Sequence, residues 1–498
     1  MTEGAVAGGG DGGAEVRETH VSILVFLGDR VLKLRKPVRF DFVDFTTQES
    51  RREDCEREVA LNARLAPDVY LGTADVVLGG RAIDHAVVMR RLPADRALDR
   101  LLQAPSPLLD ARLRAVAATV ADFHRHAARS AAIASAGAAP ALAARLAADA
   151  HAIERFAGPV LGRGEFDAVV ALGRRFLAGR EALFDARIRA GHVCDGHGDL
   201  QAADIYCLDD GPRILDCLEF DDRLRYGDVV ADVAFLAMDL ERLGCPGASA
   251  RFVEAYEEAS GEAIPPALLH FYVASRALVR VKVACLRHEQ GAAATGGEAR
   301  DLLALARRHL EAARVRLVLV GGLPGSGKTT LARRLGDALG ATVLRSDCVR
   351  RARHEPRKAT QEPPAFGRGR YRGAATEAVY DELLDRAAEL LGTGRSVVVD
   401  ASWTSEARRR RARSLAERAV ADLAELRCSA PRPTREARIA GRARAATDAS
   451  EATAAIGRAM AAAEDPWPEA VPIATETAPD DVLARALASL GVAPGGPP

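Results

Sequence analysis

The run Gly322-Leu323-Pro324-Gly325-Ser326-Gly327-Lys328-Thr329-Thr330 sets glycine, lysine and hydroxyl at the spacing G-x-x-x-x-G-K-[ST]. Glycines let successive backbone N–H groups turn inward on phosphate oxygens, where side chains would collide. Lys328 would reach the β/γ-phosphates and the Thr329 hydroxyl would ligate Mg²⁺. The run follows the apolar stretch VRLVLV and opens a helix, whose N-terminal dipole adds positive potential. The ligand this chemistry selects is ATP, with GTP also compatible, together with Mg²⁺.

Acids and arginines downstream extend the constellation. Asp400 closes the apolar run SVVVD, where a Walker-B carboxylate would hold the Mg²⁺ shell, although a strand-end cap is the bland alternative. Asp347, in LRSD, is expected to end the second strand at the sheet edge where ligands bind. There it would accept a proton from an attacking hydroxyl, or simply cap a helix. Arg435, Arg438 and Arg442 share one helical face, as lid cations or as a solvated basic face. Arg408–Arg411 reads as solvated helix surface, and nucleic acid is not an expected partner. This half, about 314–490, resembles the small P-loop kinases, among them polynucleotide-kinase-like, zeta-toxin-like and chloramphenicol-phosphotransferase-like proteins. The resemblance implies phosphoryl transfer to a hydroxyl, with Asp347 as base and Arg438 and Arg442 in the lid.

A second constellation lies upstream. Asp199 in GHGDLQAADI, Asp204 five residues on, and Asp216 after a short hairpin would orient an acceptor hydroxyl and hold metal ions. Three acids so close also occur in ordinary acidic loops. Their order, however, resembles the catalytic and metal loops of aminoglycoside-phosphotransferase-like kinases over about 20–290. The resemblance implies Asp199 as catalytic base and Asp216 as principal Mg²⁺ ligand, with Asp204 beside it where the family has Asn. It further implies Lys33 on the α/β-phosphates, Glu58 as its ion-pair partner, and adenine bound by backbone near Met89–Arg91. No strand-embedded glycine loop precedes Lys33, and GGGDGG at 8–13 reads as disorder. His197 is expected to buttress its loop, Asp228 and Asp232 to brace it, and His124 and His126 to be core-edge or surface residues. Trp403 is expected to pack or to line an acceptor pocket. Glu219, Asp221 and Asp222 would suit a positively charged acceptor.

These residues need elements to hold them. Residues 15–93 read as strands around one helix: a hairpin turning at Gly28-Asp29, the helical EDCEREVALNARLA, and the strand RAIDHAVVMRRLP. Residues 94–298 read as mainly helical, interrupted by 191–228, and GAAATGG at 291–297 as a loop before a linker helix at 299–313. From 314 to 498 five strands alternate with helices, which implies a mainly parallel α/β sheet. With the resemblances, the expected fold is a bilobal α+β kinase-like domain, after a lead-in at 1–14, joined to a P-loop α/β domain.

The whole chain bounds the alternatives. Its 498 residues exceed one ordinary core, and equal counts of 69 basic and 69 acidic residues give no field toward nucleic acid or membrane. The N-terminus lacks the apolar core of a secretory signal, and eight scattered cysteines without a CxxC pair fit reduced thiols in the cytoplasm. Lysine occurs only at 33, 36, 282, 328 and 358, and two of these positions fall in the two constellations. The leading expectation is a phosphotransferase with two nucleotide sites acting on a small-molecule hydroxyl. A kinase-like sensor regulating the P-loop half, and a nucleic-acid end-processing kinase, are the alternatives.

Overall fold

Alternating apolar residues in SILVFL and VLKLR commit the first sheet. Strand β1 (Glu15–Glu18) pairs with β2 (Ser22–Leu27), and β2 with β3 (Arg30–Arg35) through the expected turn at Gly28-Asp29. Gly28 has φ 55°, the left-handed conformation that a two-residue hairpin demands. Two further strands, β4 (Tyr70–Leu78) and β5 (Arg81–Arg90), extend an antiparallel sheet in the order β1-β2-β3-β5-β4, whose outer edge is a short strand, Ala5–Val6, paired with β1 inside the expected lead-in. Strand β4 escapes the sequence pattern because most of its residues are exposed and its register shifts around Gly72. Helix α1 (Gln48–Asn62), capped by the Thr47 side chain, packs on this sheet over Cys55, Ala66, Val69, Tyr70 and Val87. Its buried positions include Arg51, Asp54, Glu58 and Asn62. A helix burying charges must meet partners there.

The computed structural model describes residues 5–6, 15–19, 21–40, 43–103, 107–292, 294–353, 373–445 and 453–492, so the GGGDGG run lies outside the described residues. Helices then dominate, including α2 (Leu109–His126), α3 (Ala139–Glu154), α4 (Val229–Arg242) and α5 (Pro266–Glu289). Between α3 and α4 the hairpin β6 (Ile205–Leu208) and β7 (Gly211–Ile214) pairs Ile205 with Ile214. That register brings Asp204 and Asp216 to the same end of one hairpin. The GAAATGG stretch is shorter as a loop than its composition suggests, because a helix already starts at Thr295 and runs to Ala312.

The chain divides into two compact units, Met1–Val170 with Phe184–His309, and Ala171–Leu183 with Leu310–Pro498. In the second, strands β8 (Arg316–Gly321), β9 (Thr342–Arg345), β10 (Val397–Asp400), β11 (Asp422–Ser429) and β12 (Val471–Ala474) form one parallel sheet in the order β9-β10-β8-β11-β12. Helices α6 (Lys328–Leu339), α7 (Ser346–Ala352), α8 (Gly373–Gly392), α9 (Glu406–Arg418), α10 (Arg432–Ala445) and α11 (Pro479–Ser489) connect or follow the strands. Val318, Val320, Leu331, Leu335, Val398 and Leu426 are buried together in the core between sheet and helices. This is the parallel α/β architecture expected, and it puts the loop after β8 and the end of β10 on one edge.

The Arg408–Arg411 run is not simply solvated surface. Arg409 is 0% exposed and donates to the carbonyls of Trp403 at 2.7 Å and Pro466 at 2.5 Å. Its guanidinium lies 5.1 Å from the Trp467 ring centroid. Arg408 pairs with Glu377, and Arg411 with Glu377 and Asp381. Periodicity cannot distinguish a buried arginine from its solvated neighbours when the acceptors come from distant carbonyls. Arg409→Met, which strands those carbonyls, is expected to destabilise the second unit by roughly 2–4 kcal/mol in urea unfolding of the full chain.

Candidate active sites

In the first unit, Lys33 projects from β3 and Glu58 from α1, and their side chains meet at 2.7 Å. Lys33 also reaches Asp216 at 3.1 Å, so the ammonium joins the sheet to the loop after β7. Burial acts against the Lys33 charge, but the Asp216 and Glu58 carboxylates raise its pKa well above the usual value. Lys33 in turn holds Asp216 below the usual carboxylate range. Asp216 has φ 63°, a conformation few non-glycine residues adopt. Its N–H points at the Tyr70 hydroxyl at 3.3 Å, and the next N–H, of Cys217, donates to Asn62 Oδ1 at 2.8 Å.

A second cation, Arg35, occupies the middle of Asp54, Glu58 and Glu219 at 2.5, 2.7 and 2.5 Å. These three acids converge closely enough to suggest a metal site, but the guanidinium already lies among them. Glu219 is therefore unavailable as an acid for a cationic acceptor. Asp221 pairs with Arg223 at 2.8 Å, and Asp222 with Arg57 and Arg225.

The Asp199 loop hangs from α4. Asp232 accepts from the N–H of His197 at 2.6 Å and of Gly198 at 2.9 Å, and takes a third bond from His124 Nε2 at 3.2 Å. Burial opposes its charge, but those bonds hold its pKa below the usual carboxylate range. A Cβ on Gly196 would collide with the same carboxylate, which explains the glycine. Two turns on, Asp239 accepts from Ala202 N–H at 2.9 Å. His197 is buried, which lowers its pKa, and its Nε2 lies 3.1 Å from Leu215 O, tying the two acidic loops together. Asp228 caps α4 and pairs with Arg187 at 2.7 Å.

Sequence reasoning missed Asp239 and misplaced His124, which is a buried link between Tyr256 and Asp232 rather than a core-edge residue. The signal was present: VVADVAFLAMDL is an apolar helix interrupted by two acids seven residues apart. His126 is exposed, as expected.

Asp199 itself contacts Gln201 Nε2 at 2.9 Å. Burial pushes its pKa up to about 6, with Asp216 adding to the rise while Arg280 and Arg276 oppose it. Asp204, also buried, is raised well above the usual value by desolvation and then by Asp216 and Asp199. A buried carboxylate whose ionisation is suppressed by an ionised neighbour suits a divalent cation, so Asp204 and Asp216 together fit Mg²⁺. The backbone near Met89–Arg91 is less open to adenine than expected. The N–H groups of Arg90 and Arg91 are already committed to Val69 O and Asp29 O at 2.9 and 2.7 Å.

The second unit builds its site on three left-handed glycines. Gly322, Gly325 and Gly327 have φ of 134°, 78° and 86°. A Cβ at Gly322 would lie 2.5 Å from Cys428 O, and one at Gly325 would lie 2.5 Å from Arg435 O. Helix α6 starts at Lys328, which has no carboxylate partner among the described residues. The Thr329 hydroxyl donates to Asp400 at 2.7 Å. Asp400 is 3% exposed, its pKa is raised by burial, and its Oδ1 has no hydrogen-bond partner among the described residues. An orphaned carboxylate oxygen beside a threonine hydroxyl fits Mg²⁺.

Two expectations shift here, and for Trp403 the packing alternative holds. Asp347 lies inside α7 rather than at the strand end, and pairs with Arg350 at 2.8 Å. Arg438 donates to Gly325 O at 3.3 Å and to Thr475 O at 2.8 Å, so it braces the glycine loop instead of standing free in a lid. Trp403 is 0% exposed and donates to Val399 O at 3.2 Å, which makes it a packing residue. Arg442 falls on α10, but its side chain lies outside the described residues.

Comparison with known proteins follows the same division. The model of a phosphotransferase enzyme family matches residues 19–271, and that of an AAA domain matches residues 317–466. An uncharacterized protein of Mycobacterium tuberculosis is 42% identical over 455 residues, covering 91% of this chain and 90% of its own length. The GDP complex of an aminoglycoside 2'-phosphotransferase-IIIa is 16% identical, with 58% of this chain and 90% of that chain covered and a TM-score of 0.37. An unliganded sugar kinase from Janibacter is 20% identical, with 36% and 96% covered and a TM-score of 0.27.

Asp232→Ala leaves two backbone N–H groups and His124 without their acceptor. It is expected to destabilise the first unit by about 3–5 kcal/mol, read by urea unfolding. Asp239→Ala, which releases one N–H, is expected to cost less.

Proposed function

This chain belongs to the phosphotransferase enzyme family, and from that premise we propose an enzyme with two nucleotide sites, one in each unit. The observation that supports this most directly is the duplication of lysine-plus-acid chemistry: Lys33 with Asp216 at 3.1 Å, and Thr329, next to Lys328, with Asp400 at 2.7 Å. In the first unit Lys33 binds phosphate oxygens and Glu58 holds the ammonium in place. Asp199 orients the acceptor hydroxyl and takes its proton. The acceptor oxygen then forms the new P–O bond while the bond to the nucleoside diphosphate breaks. In the second unit the glycine loop and Lys328 bind the triphosphate, and Asp347, in the first turn of α7, is the candidate base for an acceptor. Mg²⁺ held by Asp204 and Asp216, or by Thr329 and Asp400, would neutralise charge on the transferring phosphoryl. A small-molecule hydroxyl is the acceptor class. The ion-paired arginines of α9 do not favour nucleic acid.

A second reading is that the first unit senses a ligand without transferring phosphate. It is favoured by the committed N–H groups of Arg90 and Arg91 and by the connector at 19–21, which lacks glycine. Vigorous Asp199-dependent transfer would dismiss it.

In steady-state assays of nucleotide turnover by the full chain, Asp199→Ala and Lys328→Ala should each remove a separate part of the activity, and the double variant nearly all of it. If neither substitution lowers turnover, the two-site reading fails. The base must be deprotonated, so the part lost in Asp199→Ala should rise with pH through about 6 and level off above it. A pH profile flat between pH 5 and 8 (a range of about one unit or more on either side of that value) would contradict the role of Asp199.

A further inference from the structure

Resting on the phosphotransferase reading of the first unit, we propose that its acceptor is anionic, a hydroxylated carboxylate or phosphomonoester held by Arg276 and Arg280. Tyr272, Arg276 and Arg280 stand four residues apart on α5 and so share one face of that helix. Arg276 Nε donates to Ala231 O at 3.1 Å, and its guanidinium lies 5.4 Å from the Phe235 ring centroid. Ala231 precedes Asp232, the carboxylate from which the loop carrying Asp199 hangs. The arginine face of α5 is therefore seated against the support of the proton acceptor.

This face has unspent donors. Arg280 Nε is buried without an acceptor, and Arg280 makes no ion pair among the described residues. The Tyr272 hydroxyl is also without a partner among the described residues, on a residue 3% exposed. Arg145, from α3, donates among the described residues only to the carbonyls of Arg223 at 2.6 Å and Tyr226 at 2.9 Å, and burial followed by the proximity of Arg276 lowers its pKa. Buried donors left unmade and guanidinium groups left unpaired are both unfavourable, unless a ligand brings the acceptor.

Several acids of the same unit are in the opposite condition. Glu219 is bound to Arg35, Asp221 to Arg223, Asp222 to Arg57 and Arg225, and Asp149 to Lys282. Paired acids and unpaired arginines select against a polycation and for an anion, which a guanidinium fork can bind in two places. Arg276 and Arg280 also act to lower the pKa of Asp199, so they sit within electrostatic range of the hydroxyl being activated.

The test is isothermal titration calorimetry of the full chain carrying Lys328→Ala, which weakens the phosphate cradle of the other unit. Gluconate and ribose 5-phosphate serve as anionic probes, with glucitol, ribose and kanamycin as neutral and cationic controls. At least one anion should bind, and whichever binds better identifies carboxylate or phosphate as the recognised group. Adding Arg280→Ala should weaken that binding about ten-fold or more, with Arg280→Lys intermediate. Arg276→Gln should act in the same direction, and unchanged melting curves would separate lost binding from lost folding. Binding of ribose, glucitol or kanamycin that exceeds that of the anions and ignores Arg280→Ala would overturn the proposal. So would anion binding with no sensitivity to Arg280. Failure of the underlying reading looks different: Arg280-sensitive anion binding without any Asp199-dependent nucleotide turnover.

Discussion

Buried like charge is the constraint around which the first unit is arranged. Asp204 is buried and Asp199 and Asp216 are partly so, and the charge of Asp216 makes the ionisation of both Asp199 and Asp204 harder. Lys33 offsets only part of this, from one side. The rest is geometric. Asp232 and Asp239 hold one loop by its N–H groups, while Asn62 and Tyr70 hold the other. None of these contacts neutralises the acids; they prevent the loops from relaxing apart. A site held under mutual repulsion gains most when a divalent cation and a polyphosphate arrive together, because the cation relieves what the fold alone cannot.

The second unit meets the same requirement by other means. The glycine loop proposed to bind phosphate is mainly backbone, made possible by glycines whose Cβ atoms would meet Cys428 O and Arg435 O. Its buried acid, Asp400, is a single carboxylate with one oxygen bound to Thr329 and the other without a hydrogen-bond partner among the described residues. Arg438 and Thr475 clamp the glycine loop from the sheet edge, Thr475 Oγ1 donating to Ser326 O at 2.8 Å. One unit therefore positions side chains through buried bonds, and the other positions backbone through close packing.

Much of this was legible because the decisive residues are local in sequence. The glycine-lysine-threonine run, the hairpin at Gly28-Asp29, the five parallel strands and the order Lys33, Glu58, Asp199, Asp216 all follow from spacing or resemblance. What could not be read depends on partners far along the chain. Arg409 looks like its solvated neighbours until the carbonyls of Trp403 and Pro466 are placed around it. His124 looks like a helix-face histidine until Asp232, more than a hundred residues later, lies beside it. Glu219 looks like an open acid until Arg35 takes it. Charge composition is visible in a sequence, but charge pairing is not, and the distinction between an acidic and a cationic acceptor pocket rests wholly on pairing.

The central claim is that each unit binds a nucleotide, and the most direct measurement is stoichiometry. Equilibrium titration of the full chain with a non-hydrolysable ATP analogue and Mg²⁺ should find two sites per chain. Lys328→Ala should weaken one of them and Lys33→Ala the other, each leaving its counterpart intact. A single site, abolished by Lys328→Ala and indifferent to Lys33→Ala, would contradict the account.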